Sequence, residues 1–299
     1  MPDPAPGAAP DPAAGATPDP APGAATGTAS ESAPETPAAR GPRRPRRARP
    51  RVFAARVTVA EQVTPGMRRL TIAAPELADY APMGPDEYLG LLLPRTEHAP
   101  LVLPPAERAD AIRAAVAELP EEVRPELRWY TLRAHRPADA EIDVDFVVHG
   151  DEGPGTRFAR RARPGSALGI RECTALYDPP PGVRTQVIAG DESAIPAIAR
   201  ILESTPGEMR THAFIEIADP RDRQDLGAEI AWVDRDERPG AALERAVRAA
   251  ELPDRIDYAW VCAERGGVQG IRRHLVDDRG VAKSRIVFSG YWRLGEARG

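Results

Sequence analysis

The chain has 299 residues and a formal net charge of −5 at neutral pH, and this length is sufficient for two domains of ordinary size. Because the chain is mildly acidic, we expect no nucleic-acid partner. Because it has no apolar run of about 18 residues, we expect no membrane-spanning helix. The two cysteines, Cys173 and Cys262, have neither metal-ligand nor disulfide-framework spacing. We therefore expect a protein of the reducing cytoplasm.

Residues 1–50 have the composition of a disordered tail. They are rich in Ala, Pro and Gly, which offer little apolar bulk to offset chain entropy. They lack the basic start and apolar run of a secretory signal, so we expect none. The tail ends in a cluster of arginines between Arg40 and Arg51. We interpret this cluster as a solvated linker, with binding to an anionic surface as the alternative.

Residues 51–182 show the alternating pattern of a small antiparallel β-barrel. A hairpin is predicted over 51–72, with its turn at Thr64, Pro65 and Gly66. Further strands are predicted at Tyr88–Leu93, Trp129–Leu132, Ile142–Val148 and Ala167–Ile170. A helical pattern between Pro105 and Pro120 is bracketed by prolines, and we interpret it as an insertion outside the core.

Residues 183–299 alternate between strand and helix patterns. Strands are predicted at 187–189, 212–217, 258–262 and 286–289, and helices at 195–203, 241–250 and 268–276. Such alternation implies a parallel sheet with right-handed crossovers. The predicted fold class is therefore an N-terminal antiparallel β-barrel followed by a parallel-sheet α/β domain.

The first candidate site is the strand segment from Arg128 to Arg133. Alternation along the strand places Arg128 and Tyr130 on one face and Thr131 on the other. A flavin dinucleotide needs a cation for its pyrophosphate, an apolar plane for its ring and a hydrogen-bonding group near N5. These three residues can supply all three, although a basic and aromatic strand also occurs without any ligand.

This Arg-x-Tyr-Thr pattern resembles the flavin motif of the ferredoxin-reductase superfamily. The segments 143–150 and 153–159 are similar to the second flavin segment of siderophore-interacting proteins. The resemblance implies FAD contacts from Val148, His149, Gly150, Gly153, Pro154, Gly155 and Thr156. Glycine lets backbone N–H groups approach a phosphate, and the helix that Thr156 opens favours anions at its N-terminus. Taken alone, His149 is more typical of an ordinary strand end than of a flavin contact.

Three segments of the second domain extend the resemblance. The segment 190–198 follows the first parallel strand, where nucleotides bind in α/β sheets, and 260–264 and 289–295 resemble two further family segments. The resemblance implies nicotinamide-nucleotide contacts from Asp191, Glu192, Ser193, Ala263 and Glu264, and a Trp292 that covers the flavin or packs at the domain interface. Asp191 and Glu192 can also cap the following helix, and Cys262 is interpreted as a buried strand cysteine rather than a reactive thiol.

The resemblance covers residues 52–295 and implies an FAD-dependent reductase that passes electrons from NADPH or NADH to a ferric siderophore and releases Fe(II). Tyr130 and Thr131 are the predicted catalytic residues. Ferredoxin stays open as the electron donor. Glu216 and Asp219 would favour the ribose diol of NADH, whereas Arg221 would favour a 2′-phosphate. We expect a monomer and no bound metal.

The chain departs from the family pattern where many relatives carry a lysine in a basic pocket for the siderophore. Gly90 stands at that position, so Arg95 and Arg293 are the candidate contacts for an anionic chelate. Two alternatives stay open: a flavin-dependent reductase with another acceptor, and a chelate-binding protein without turnover.

Overall fold

The computed structural model describes residues 47–148 and 153–295, and its first half is an antiparallel sheet. The strands are β1 (Val52–Thr64), β2 (Met67–Ala73), β3 (Tyr88–Leu93), β4 (Glu126–Thr131), β5 (Ala134–Arg136), β6 (Glu141–Val147) and β7 (Ala167–Arg171). Their order in the sheet is β4-β3-β7-β1-β2-β6-β5. The chain passes directly from edge strand β4 to the opposite edge strand β5, and between them Arg133 N–H donates to Asp143 C=O over 2.8 Å. The two edges therefore meet, and the sheet forms the predicted barrel.

Alternation fills the barrel with apolar side chains. Leu89, Leu91 and Leu93 of β3 point into one core with Phe146 of β6, because every second residue of a strand faces the same side. Phe158 closes this core from helix α2 (Pro154–Arg161). The predicted hairpin is confirmed, with β1 and β2 turning at the expected residues.

The second half is a parallel sheet, as predicted. Its strands are β8 (Thr185–Asp191), β9 (Arg210–Ile217), β10 (Ile230–Asp234), β11 (Tyr258–Glu264) and β12 (Ile286–Trp292), in the order β10-β9-β8-β11-β12. The order reverses between β8 and β11, and in α/β sheets ligands bind beside the carboxyl ends of strands at such a point. Three helices connect the strands: α3 (Ile195–Ser204), α4 (Ala241–Ala249) and α5 (Arg265–Arg273). Within the described part of the chain, no helix has the length and apolar character needed to cross a membrane.

The predicted helical insertion has a structural role that the sequence interpretation missed. A 3₁₀ segment over Ala106–Ala111 continues into helix α1 (Ile112–Ala117). Ile112 and Val116 pack with Leu92 and Leu127 on the outer face of β3 and β4, where they form a small core of their own. The interpretation of this segment as lying outside the core is therefore wrong. The outer face of the barrel is apolar at this point, and the segment covers it.

Two arginines of the N-terminal cluster bind buried carboxylates, in contrast to the expected solvated linker. Arg47 donates to Glu87, which is completely buried, over 2.9 Å, and its guanidinium lies 4.5 Å from the ring centre of Tyr80. Glu87 also accepts from the Tyr80 hydroxyl. Arg51 pairs with buried Glu172 over 2.7 Å. The predicted tail over residues 1–46 lies outside the described residues.

Replacement of Arg47 with alanine should strongly destabilise the barrel. Removing one partner of a buried ion pair leaves an uncompensated charge, so we expect a loss of about 3 kcal/mol in the free energy of unfolding. Urea unfolding followed by circular dichroism measures this loss. Arg49→Ala is the matched control, because Arg49 is exposed; equal stability of the two variants would contradict the role of Arg47.

Candidate functional site

A cleft of about 1260 Å³ lies where the barrel faces the carboxyl edge of the parallel sheet. It collects most of the residues that the sequence motifs indicated, although they are far apart along the chain. The predicted site residues that line it are Arg128, Tyr130, Thr131, Gly153, Pro154, Gly155, Thr156, Glu192, Ser193 and Trp292. The motifs of the two domains therefore face one common space.

Strand β4 forms one wall of the cleft with the predicted alternation. Arg128 pairs with Leu91 of β3 and Tyr130 pairs with Leu89, so both share the face that continues into the barrel core. The Arg128 guanidinium donates to its neighbour's carbonyl over 2.7 Å and lies 3.2 Å from Glu126. Since a guanidinium has five donors, others stay available toward the cleft.

Tyr130 lies against the barrel core at the base of this wall. Its ring packs against Phe146 with 4.1 Å between ring centres. Burial raises the pKa of Tyr130 above its ordinary value, so the hydroxyl stays protonated at neutral pH. A Cβ on Gly155 would collide with this hydroxyl, which explains the glycine at the start of α2.

The start of helix α2 faces the same wall. Gly153 is extended and Pro154 occupies the first turn, and the first N–H groups of a helix have no intrahelical partner. Thr156 donates its hydroxyl to Val147 C=O over 3.2 Å. Val148 is buried and is not part of the cleft lining, and His149 and Gly150 lie outside the described residues.

These groups fit an FAD dinucleotide. The Arg128 cation and the free end of α2 suit a pyrophosphate, and the Tyr130 ring offers an apolar plane. Gly155 lacks the Cβ that would push the helix start away from Tyr130.

Thr131 points to the opposite face of β4 and connects it to the parallel sheet. Its hydroxyl is within hydrogen-bonding contact of the Tyr291 hydroxyl, which also contacts the Cys262 thiol. Burial raises the pKa of Tyr291 and of Cys262 well above their ordinary values. The thiol therefore stays protonated, in agreement with the interpretation of Cys262 as a buried strand cysteine.

Asp191 lies behind the cleft wall rather than on it. It is completely buried and accepts from Ser193 N–H over 3.0 Å, from Glu264 N–H over 2.8 Å and from the indole N–H of Trp292 over 2.7 Å. Asp191 therefore caps the turn after β8, which is one of the two roles predicted for it. It also fixes Trp292 at the edge of the cleft.

Glu192 faces the cleft and pairs with an arginine that the sequence motifs did not indicate. Arg235, which follows β10, contacts Glu192 and lies 3.1 Å from Glu216; its guanidinium is 5.8 Å from the ring centre of Trp292. Burial, together with the charge of Asp191, raises the pKa of Glu192 to about 7, while Arg235 opposes this shift.

Several acids at the same sheet edge serve the fold. Glu216 is completely buried and accepts from Gly240 N–H over 2.9 Å at the start of α4. Glu264 accepts from Gly266 N–H over 2.5 Å and from Gly267 N–H over 3.2 Å at the start of α5. Neither carboxylate lines the cleft, and Ala263 is also buried away from it. Acids at helix N-termini satisfy free N–H groups, which accounts for both placements.

Of the remaining contact residues that the sequence analysis considered, some line the cleft and others do not. Asp219 is paired with Arg221 over 2.5 Å in the loop after β9. Arg95 lies 3.4 Å from Glu126 and does not line the cleft, whereas Arg293 does. The lining residues that the motifs did not indicate include Tyr88, Arg113 and Arg171, whereas Tyr291 lines the cleft as part of the indicated segment 289–295.

A barrel whose helix α2 begins at the cleft, facing the switch point of a parallel sheet, is the two-domain arrangement of the ferredoxin-reductase-like fold. The fold matches the ferredoxin reductase in carbazole 1,9a-dioxygenase with a TM-score of 0.57 over 81% of this chain and 70% of that one, at 16% identity.

The family follows from more specific matches. Residues 56–175 match the siderophore-interacting FAD-binding domain, and residues 183–295 match the siderophore-interacting protein model. The chain belongs to the siderophore-interacting protein family. It is 29% identical over 244 residues to the ferric vibriobactin reductase ViuB of Vibrio cholerae, covering 78% of this chain and 86% of the relative. The siderophore-interacting protein SipS from Aeromonas hydrophila matches with a TM-score of 0.69 at 30% identity, over 82% of this chain and 93% of that one.

Arg128→Ala should weaken FAD binding. Loss of a charge-assisted hydrogen bond costs about 1.5–3 kcal/mol, so we expect a dissociation constant about 10- to 100-fold higher. Flavin fluorescence titration of the apoprotein measures it. Arg133→Ala is the control, because Arg133 belongs to the same segment but pairs with Glu203 outside the cleft; unchanged affinity in Arg128→Ala would refute the assignment.

Proposed function

We propose that this protein is an FAD-dependent reductase that takes electrons from NADPH or NADH and reduces ferric siderophores, so that Fe(II) is released. One observation carries the proposal: the flavin motif of the barrel and the switch point of the parallel sheet line one cleft. Membership of the siderophore-interacting protein family and similarity to ferric vibriobactin reductase support a ferric siderophore as the electron acceptor. The FAD-binding domain spans residues 51–182 and the nicotinamide-binding domain spans 183–299 in this proposal.

The barrel residues hold and orient the flavin. Arg128 and the start of α2 bind the pyrophosphate, and Tyr130 lies against the ring. Thr131 offers its hydroxyl to the polar edge of the ring, and its contact with Tyr291 keeps that hydroxyl in place. FAD held by these residues would supply the chemistry that links a two-electron nicotinamide donor to the one-electron reduction of ferric iron. One NAD(P)H therefore reduces two Fe(III) and leaves one proton.

The parallel sheet supplies the nicotinamide side of the cleft. Glu192, Ser193 and Trp292 face the cleft beside the carboxyl end of β8, the position where nucleotides bind in such sheets. Asp191 acts on this side through Trp292, whose indole it holds. Hard oxygen ligands hold Fe(II) more weakly than Fe(III), so the reduced metal leaves the chelate. We expect the protein to act as a cytoplasmic monomer.

An anaerobic two-step assay tests the proposal. The purified protein should be yellow; NADH or NADPH should bleach the flavin absorption, and an added ferric siderophore should restore it while Fe(II) accumulates in a ferrous-specific chelator. Protein that neither carries nor binds FAD would leave only a chelate-binding role. Bleached flavin that no ferric siderophore reoxidises would indicate another acceptor. Failure of both nicotinamides, with reoxidation after chemical reduction, would indicate ferredoxin as the donor.

Binding of NADH should weaken as the pH rises through about 7, where Glu192 loses its proton. The pKa of Glu192 is raised, so the carboxyl is neutral below this pH and repels the cofactor's pyrophosphate above it. A nearby charge contributes about 1 kcal/mol, so we expect an about fivefold change in the dissociation constant. Glu192→Gln should remove the pH dependence and Glu203→Gln, on exposed α3 surface, should keep it. A pH profile that survives in Glu192→Gln would contradict the assignment.

A further inference from the structure

The second face of β4 is also part of the cleft, and the flavin motif does not use most of it. Trp129 and Thr131 face the side opposite to Arg128 and Tyr130, in register with Gly90 and Tyr88 of β3. All four β4 residues line the cleft because β4 is an edge strand. The contacts proposed for FAD and for the nicotinamide cofactor leave most of this face of the cleft unassigned.

An aromatic platform covers this second face. The Trp129 ring lies on Gly90, where a Cβ would stand 2.8 Å from a ring carbon. Tyr88 meets the same ring edge to face, with 5.9 Å between centres and planes at 85°. Glycine at position 90 thus leaves the space that the indole fills. Gly90, at the position where the family resemblance implies a lysine, therefore lies directly under the Trp129 ring.

Positive charge reaches the platform from the helical segment instead. The Arg113 guanidinium lies 5.3 Å from the centre of the Trp129 ring, and Arg113 lines the cleft. Ile112, its neighbour, is buried in the small core on β3 and β4, so the segment holds Arg113 at this place. Without the segment over 106–117, this cation would be missing from the cleft.

A second arginine joins Arg113 on the same side. Arg171 lines the cleft, and its Nε donates to Ala109 C=O over 3.1 Å, which ties β7 to the helical segment. Its Nη1 lies 3.2 Å from the Cys173 sulfur. Asp110 is the acid that lines the cleft beside them. Arg113 and Arg171 therefore bring two guanidinium groups to this side of the cleft.

We propose that this face is the acceptor subsite, with Arg113 and Trp129 as specificity-determining residues for ferric chelates whose iron-binding groups are aromatic and anionic, such as catecholates. The inference rests on the proposed function. A guanidinium pairs with phenolate oxygens and stacks on aromatic planes, and an indole offers a plane for ring stacking. A ferric tris-catecholate complex carries three negative charges and flat aromatic groups, so it can use both features. The iron core of a ferric tris-hydroxamate is uncharged and aliphatic, so it can use neither.

Steady-state kinetics with two chelates tests the assignment. The holoprotein is assayed anaerobically with NADH and either ferric MECAM, a synthetic tris-catecholate, or ferrioxamine B, a tris-hydroxamate. Arg113→Ala should raise KM for ferric MECAM about tenfold, as loss of a desolvated cation–aromatic and ion-pair contact implies, and should change KM for ferrioxamine B less than about twofold. Trp129→Leu should shift KM in the same direction, and Trp129→Phe should recover part of the preference.

Binding of the redox-inert gallium complex of MECAM, measured by calorimetry with the oxidised holoprotein, gives a readout that needs no turnover. Its dissociation constant should rise in Arg113→Ala in parallel with KM. The control is Arg108→Ala, because Arg108 lies on the same segment but does not line the cleft and pairs with Glu118. Equal effects on both chelates, or no effect on either, would overturn the inference.

The proposed function has a separate readout. Wild-type protein that reduces neither ferric siderophores nor ferricyanide with either NADH or NADPH would refute the proposed function, whatever the gallium titration shows. Wild-type protein that reduces both chelates, while Arg113→Ala leaves their relative KM values unchanged, would refute the subsite alone.

Discussion

A buried carboxylate connects the barrel to the parallel sheet. Asp86, which precedes β3, is completely buried. It accepts from the backbone N–H groups of Leu176 and Tyr177 over 2.8 and 2.9 Å, and from the indole N–H of Trp260 in β11 over 2.8 Å. Burial raises the pKa of Asp86 and these three donors oppose the shift. Since a buried carboxyl without such donors would be costly, the arrangement fixes the start of β3 against β11, and thereby holds the barrel against the parallel sheet.

The same kind of interaction organises the far edge of the cleft. Asp191, Glu216 and Glu264 each accept backbone N–H groups near the start of a helical turn. Acids suit these places because helix N-termini carry free N–H groups and partial positive charge. Their side chains are thereby committed to the fold, and the cleft surface is left to Glu192, Ser193 and Trp292. These three buried carboxylates lie behind the cleft wall and position the few side chains that can contact a ligand.

The sequence predicted what depends on local periodicity. The barrel, the parallel sheet and the alternation of Arg128, Tyr130 and Thr131 follow from strand periods and turn residues, and the structure has all of them. Strand β10 was not predicted from the sequence. No residue of Ile230–Asp234 is fully buried, so the apolar pattern of this segment is weak. Without that strand, no sequence pattern indicated that Arg235 lies beside Glu192.

Other features could not be predicted because one local pattern serves two roles. A strand-end Glu with two glycines at the second and third positions after it fits a nucleotide contact and a helix cap equally, and Glu264 is a cap in the structure. Arg113 and Arg47 depend on contacts with residues of distant segments, Trp129 and Glu87. Charge runs are usually solvated, and nothing in the spacing of these arginines distinguishes them from their exposed neighbours.

The register of strand β4 with β3 determines which of its side chains lie on each of its two faces. As an edge strand it pairs with β3 alone, and a shift of one residue would move every side chain to the other face. Arg128 and Tyr130 would then leave the flavin wall, and Trp129 would enter it. The indole on Gly90 opposes such a shift, because only glycine leaves room for the ring at that position. Gly90 therefore helps to hold the register of Arg128 and Tyr130. Under the proposed function, the two faces of this strand would bring cofactor and acceptor close together, as electron transfer between them requires.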